Sequence, residues 1–134
     1  MFVMFDTNNT FINAVPIKNR STPELIKGFK QCHDYLKKRC FCAKLLCLHN
    51  EVSKDLITHI EAKELVYQLA SPGDHCTNPA ERAIQTFKNH FIAIISGTDP
   101  TFPSNYWNLL VPRAVITLNL LQPSQINPVI SAYT

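Results

Sequence analysis

Four short apolar runs and four longer stretches of helical period share this chain, and their order leaves few folds open. Phe2–Phe5 and Thr10–Ile17 flank Asp6-Thr7-Asn8-Asn9, a turn-forming cluster, and predict a β-hairpin. Ser21–Arg39 follows as a helix. Ser21 supplies a hydroxyl cap, Pro23 an early proline, and Glu24 the acid three residues on. Its Leu25, Phe29, Cys32 and Leu36 recur at spacings of 4, 3 and 4, which predicts one buried stripe with Lys27, Lys30, Lys37 and Lys38 off it. Ala43–His49 is a near-continuous apolar run, the pattern of a central strand covered on both faces. A second helix is expected over Ser53–Leu65 and a short strand over Val66–Leu69. Ser71-Pro72-Gly73-Asp74 then breaks into a loop.

The second half is helical. Ala80–Ser96 carries Ile84, Phe87, Phe91 and Ile95 on its expected core face, with Arg82, Thr86, Asn89 and Ala93 opposite. Glu81, Gln85 and Lys88 share one flank. After a loop over 97–103, Asn105–Leu121 predicts a last, mostly buried helix that Pro123 and Pro128 end. Strand–helix alternation of this kind implies an α/β layered domain. At 134 residues the chain is expected to be one domain, with 1–96 as its strands and helices and 97–134 as a C-terminal loop and helix.

Composition excludes several classes. With 46% apolar and 17% charged residues the chain is globular and not disordered. Its most apolar stretch, Trp107–Leu121, is interrupted by Pro112, Arg113 and Asn119, so no membrane span is expected. No secretory signal is visible at the N-terminus, and five cysteines argue against a complete disulfide framework. An intracellular protein with reduced thiols is the expectation. The net charge of +3 is uneven: eight of the basic residues fall between Lys18 and Lys44 against Glu24 and Asp34, a local excess of six positive charges. Such a patch attracts polyanions over a Debye length of about 10 Å, although each lysine alone also fits a solvated helix face. Cys40, Cys42, Cys47 and His49 hold the atoms of a zinc site, but at a spacing that matches no standard finger or ribbon. Buried free thiols are the competing account.

The most specific words are Phe2–Asn19, Leu48-His49-Asn50-Glu51 and Asn78-Pro79-Ala80-Glu81-Arg82 running on to Phe91, with Trp107, Leu118-Asn119 and Asn127-Pro128 downstream. Together and in this order they resemble the catalytic core of integrases from long-terminal-repeat retrotransposons. The resemblance covers nearly the whole chain. It implies a ribonuclease H-like three-layer fold, a mixed sheet flanked by helices, here without its first strand. It also implies DNA as partner, at retroelement ends or target sites, and a nuclear location. Association with itself or with an intact integrase, through the sheet edge that the missing strand would leave open, is a further expectation.

In that family two aspartates and a glutamate hold two Mg²⁺ or Mn²⁺ ions, which clamp the attacking and leaving oxygens of phosphoryl transfer. Glu81 matches the family glutamate, and so would be the metal ligand and catalytic acid, with Arg82, Gln85 and Lys88 beside the DNA on the same helix. Lys27, Lys30, Lys37 and Lys38 would bind further phosphates. At the second aspartate stands His49, whose neutral imidazole brings no negative charge and prefers softer metals. The first aspartate belongs to a strand that would precede Phe2. Asp6 aligns instead with the hairpin turn, where bonding to the local backbone is its expected role. The resemblance therefore implies an integrase-like core without strand transfer. The alternative is a DNA-binding or self-associating module with no catalytic ancestry in use.

Overall fold

The computed structural model describes residues 1–48, 52–70 and 79–133. The protein is mixed α/β, and its described residues fall into two compact units. One comprises Met1, Val3–Pro16 and Pro79–Thr134; the other comprises Phe2 and Ile17–Asn78.

The first unit is built on a hairpin, β1 (Phe2–Asp6, its first residue aside) and β2 (Phe11–Val15). Only the short turn 7–10 joins the strands, so they pair antiparallel. Asp6 Oδ1 accepts a hydrogen bond from Asn8 N at 3.1 Å, which closes the turn locally. Thr10 then takes φ 61°, a left-handed conformation that a β-branched residue adopts at a cost. Its hydroxyl donates to the Pro123 carbonyl at 2.7 Å, which offsets part of that strain. Phe11, Ile12, Asn13 and Ala14 are all buried.

Helix α3 (Pro79–Ser96) and helix α4 (Val111–Leu121) pack on each other, and α4 also lies on β2. The buried residues of α3 are Ala83, Phe87 and Phe91. Ile84 is half-buried, and Ile95, expected in the core, is exposed, because the stripe turns toward Ile94 in the last turn. Phe87 stacks on Phe91 at 5.9 Å between centroids, and Trp107 meets Phe91 edge-on at 6.3 Å. The last helix is shorter than its apolar pattern predicts. Ser104–Leu110 is a 3₁₀ helix that kinks at Tyr106, and the α-helix begins only at Val111. Pro112 explains the break: it lacks an N–H and suits the first turn of a new helix.

Asn119 ties this unit together. It is fully buried, its Oδ1 accepts from Ile12 N at 2.9 Å, and its Nδ2 donates to Ile12 O and Val115 O, both at 2.7 Å. The side chain thus stands in for one rung of a strand along β2. Beyond α4 the chain turns back. Ser124 N bonds Ile130 O, Ala132 N bonds Gln122 O, and Tyr133 N bonds Asn119 O.

In the second unit α1 (Thr22–Lys38) packs on α2 (Lys54–Glu61), and β3 (Leu45–Leu48) pairs in parallel with β4 (Val66–Leu69). Phe29, Cys32 and Leu36 are buried on α1 and Lys27, Lys30, Lys37 and Lys38 are exposed, as the stripe predicts, while Leu25, at the start of the stripe, is only half-buried. Gly28 sits so close to Phe2 that an added Cβ would lie 2.9 Å from the Phe2 Cβ. The helix start departs from its signature. Ser21 makes no side-chain cap bond, and Glu24 accepts instead from Lys18 N at 2.9 Å.

Two expectations about the strands fail. Among the described residues the strands form two separate two-stranded sheets, β1–β2 and β3–β4, and not one mixed sheet. And β3 is not covered on both faces: Leu45 is 52% exposed and its neighbour Val66 62%. An apolar run states what a strand can bury and is silent on what covers it.

A histidine pair flanks Phe29. His33 stacks on the ring and His59 meets its edge. The Nδ1 of His33 and the Nε2 of His59 are buried without a hydrogen-bond partner. Desolvation, with Lys63 adding repulsion, holds the His33 pKa below its usual 6.5 despite the opposing pull of Asp34. The unfolded chain therefore binds more protons than the folded one at mildly acid pH. This contribution is fully present above pH ~6.5 and is lost as pH falls toward the lower folded value. Urea midpoints for the wild-type protein should fall between pH ~7 and ~5, and His33→Phe should flatten that fall. Equal pH dependence in the two proteins would refute the assignment.

Candidate functional site

Glu81 lies in the first turn of α3, half-buried, where the helix dipole favours an acid. Arg82 follows it and is exposed. Gln85 and Lys88 are exposed on the same helix, and Gln85 Nε2 is engaged by Asn89 Oδ1 at 2.9 Å. Asn78 and His49, the start of the motif and the position of the second family aspartate, lie outside the described residues.

An open cleft of about 620 Å³ lies at the N-terminal end of α3, within the first unit. Phe5, Thr10, Pro79, Arg82, Gln125 and Ile126 line it. A smaller hollow of about 410 Å³ shares Phe5, Thr10, Pro79 and Arg82 with it and reaches to Thr86. Among the described residues Arg82 is the one charged residue in either lining. Its guanidinium can take an anion in two parallel hydrogen bonds. Neither lining includes Glu81 or Asp6, so among the described residues the hollows bring together no acid–base pair. Gln125 and Ile126 carry no motif, and nothing in the sequence marks Thr10 as a cleft residue. They reach the cleft because the hairpin turn and the segment after α4 are bonded to each other, through Thr10 to Pro123 and Ser124 to Asn9.

Among the described residues no three of histidine, cysteine, aspartate and glutamate converge. Asp6 is occupied in its turn by Asn8. An imidazole at His49 beside the carboxylate of Glu81 fits Mg²⁺ poorly, since that ion needs oxygen ligands and negative charge. Cys40, Cys42 and Cys47 are exposed, and His49 lies outside the described residues. Cys40 has a structural task instead. It sits at φ 62° just past α1, its N–H bonding Lys37 O and the next N–H, of Phe41, bonding Leu36 O. This is a Schellman closure, normally made by glycine. Cys32 is the opposite case, a core thiol whose burial raises its pKa to about 12 and keeps it from acting as a nucleophile.

The clearest electrostatic feature is on α1. At 100° per residue Lys27, Lys30, Lys37 and Lys38 fall within about a quarter of the helix circumference, opposite Phe29, Cys32 and Leu36. The four span about 16 Å along the axis. Lys27 lies 3.8 Å from Glu24, and half-buried Asp34 sits within the arc, so the face keeps a net positive charge. None of the helices among the described residues is long and apolar enough to cross a membrane. No protein-family model matches the chain, and no curated protein matches it.

Proposed function

We propose that this chain is an integrase-like core that binds nucleic acid through the phosphate backbone and does not transfer strands. The observation that carries the binding half is the lysine face of α1: four exposed ammonium groups on one side of a single helix. Point charges of that kind neutralise phosphates and read no sequence, so binding is expected to tolerate any duplex. Arg82 and Lys88, exposed on α3, would join in if the nucleic acid reaches the second helix. What supports the loss of catalysis is donor chemistry. Glu81 matches the family glutamate, while an imidazole at His49, where the family has an aspartate, cannot bridge two hard cations. A protein with this role would work beside nuclear DNA.

The catalytic half is tested by incubating the chain with labelled duplex oligonucleotides in Mg²⁺ or Mn²⁺ and looking for cleaved or joined strands. The expected result is no product above background, with Glu81→Gln indistinguishable from wild type. Metal-dependent joining that Glu81→Gln abolishes would overturn it.

A further inference from the structure

The cleft beside Arg82 is walled by three segments of the first unit. The hairpin turn brings Asn8 and Thr10, the return after α4 brings Gln125 and Ile126, and the first turn of α3 brings Arg82. Two hydrogen bonds hold the turn against the return. Thr10 Oγ1 donates to Pro123 O at 2.7 Å, and Ser124 Oγ, 3% exposed as a residue, donates to Asn9 Oδ1 at 3.1 Å. The walls are thus set before any ligand arrives, which lowers the ordering cost of binding. Their polar groups are free to receive one. Among the described residues the Arg82 guanidinium makes no ion pair, and the side-chain amides of Asn8 and Gln125 make no hydrogen bond within the protein. Phe5 and Ile126 add an apolar wall.

We propose that this cleft binds a monocarboxylate bearing an acylated α-amino group and an aliphatic side chain. A peptide's C-terminal residue and a free N-acyl amino acid share that chemistry. Charge selects the head group. Among the described residues the lining carries one positive charge and no acid. A planar guanidinium meets both oxygens of a carboxylate in parallel hydrogen bonds and cancels its single charge. A phosphomonoester carries nearly two negative charges at neutral pH, so one arginine would leave it about half neutralised. A nucleic acid needs a cation at each phosphate, and the four lysines of α1 suit it better than this cleft. The neutral groups select the rest of the ligand. Asn8 and Gln125 each offer donors and an acceptor, the complement of a peptide C=O and N–H, while Phe5 and Ile126 receive the aliphatic group. The volume of about 620 Å³ falls within the ~300–1,000 Å³ of small-ligand sites. The lysine face is in the other unit, so this site does not depend on the proposed nucleic-acid binding.

Titrating the isotope-labelled whole chain with N-acetyl-leucine, and following its amide resonances, tests the site. The wild-type protein should show saturable shifts with a dissociation constant on the order of 1 mM or tighter, as a ligand of that size allows. N-acetyl-leucinamide has nearly the same shape without the charge and should bind at least tenfold more weakly. Arg82→Gln should weaken the acid at least tenfold, and Arg82→Lys, which keeps the charge and loses the fork, should fall between. Arg82 is exposed, so both variants should keep the wild-type circular dichroism spectrum. Acetyl-Ala-Ala-Leu with a free carboxylate separates the two sources. Tighter binding than N-acetyl-leucine identifies a protein C-terminus, and equal or weaker binding a free acyl amino acid. The proposal is overturned if N-acetyl-leucine gives no saturable shift, if its amide binds as tightly, or if Arg82→Gln leaves the affinity unchanged. Displacement of the acid by inorganic phosphate at equal concentration would also overturn it.

Discussion

Replacing Asn119 with alanine should cost roughly 3–5 kcal/mol, because it leaves two buried backbone groups without partners and opens a cavity between α4 and β2. The Ile12 N–H and C=O are the groups concerned. Ile12 is 1% exposed, and Asn119 makes a bond to each. A net hydrogen bond contributes only about 1 kcal/mol when both partners can return to water, but here water has no access and the full desolvation cost applies. Asn119→Asp is a sharper probe. It keeps an acceptor for Ile12 N–H and turns the other oxygen against the carbonyls of Ile12 and Val115, so it should destabilise at least as much at neutral pH and less in acid, where a protonated carboxyl can donate. Urea unfolding of the three proteins measures this. A loss below about 1 kcal/mol for Asn119→Ala would mean that the side chain does not hold β2.

The second large effect is on binding. Changing Lys27, Lys30, Lys37 and Lys38 together to glutamine lowers the local excess between Lys18 and Lys44 from six positive charges to two. Each phosphate that is no longer neutralised should reduce the slope of log K against log salt by about 0.9. The four together should therefore reduce it by up to about 3.6 and weaken duplex binding at low salt by roughly a hundredfold or more. Stability should change little, since all four side chains are exposed on the face away from Phe29, Cys32 and Leu36. An Arg82→Gln variant serves as comparison, removing one cation from the cleft on α3. If the quadruple variant binds duplex DNA as tightly as wild type, the lysine face is only a solvated surface.

Much of the local structure is legible in the sequence. The 4, 3, 4 spacing of Leu25, Phe29, Cys32 and Leu36 sets both the buried side of α1 and its lysine side, and Asp6 closes its turn as such an aspartate should. Local signals succeed where the partner is a few residues away. They fail where a distant or competing partner decides. Ser21 and Glu24 have capping-box spacing, yet Glu24 is taken by Lys18 N. The run at Leu45–Leu48 looks like a core strand, yet only β4 pairs with it among the described residues, and Leu45 stays exposed. Asn119 reads as an interruption in an apolar helix, and its purpose depends on Ile12, 107 positions away. The cleft beside Arg82 is illegible for the same reason, since Thr10 and Ile126 meet there only because the chain folds back after α4.

The most direct test of the account is the salt dependence of wild-type binding to a duplex of arbitrary sequence. Dissociation constants measured between about 50 and 200 mM salt should give a log–log slope of magnitude about 3 or more, the same for unrelated sequences. A slope near zero, or no binding at the lowest salt, would contradict a protein that holds nucleic acid by its phosphates.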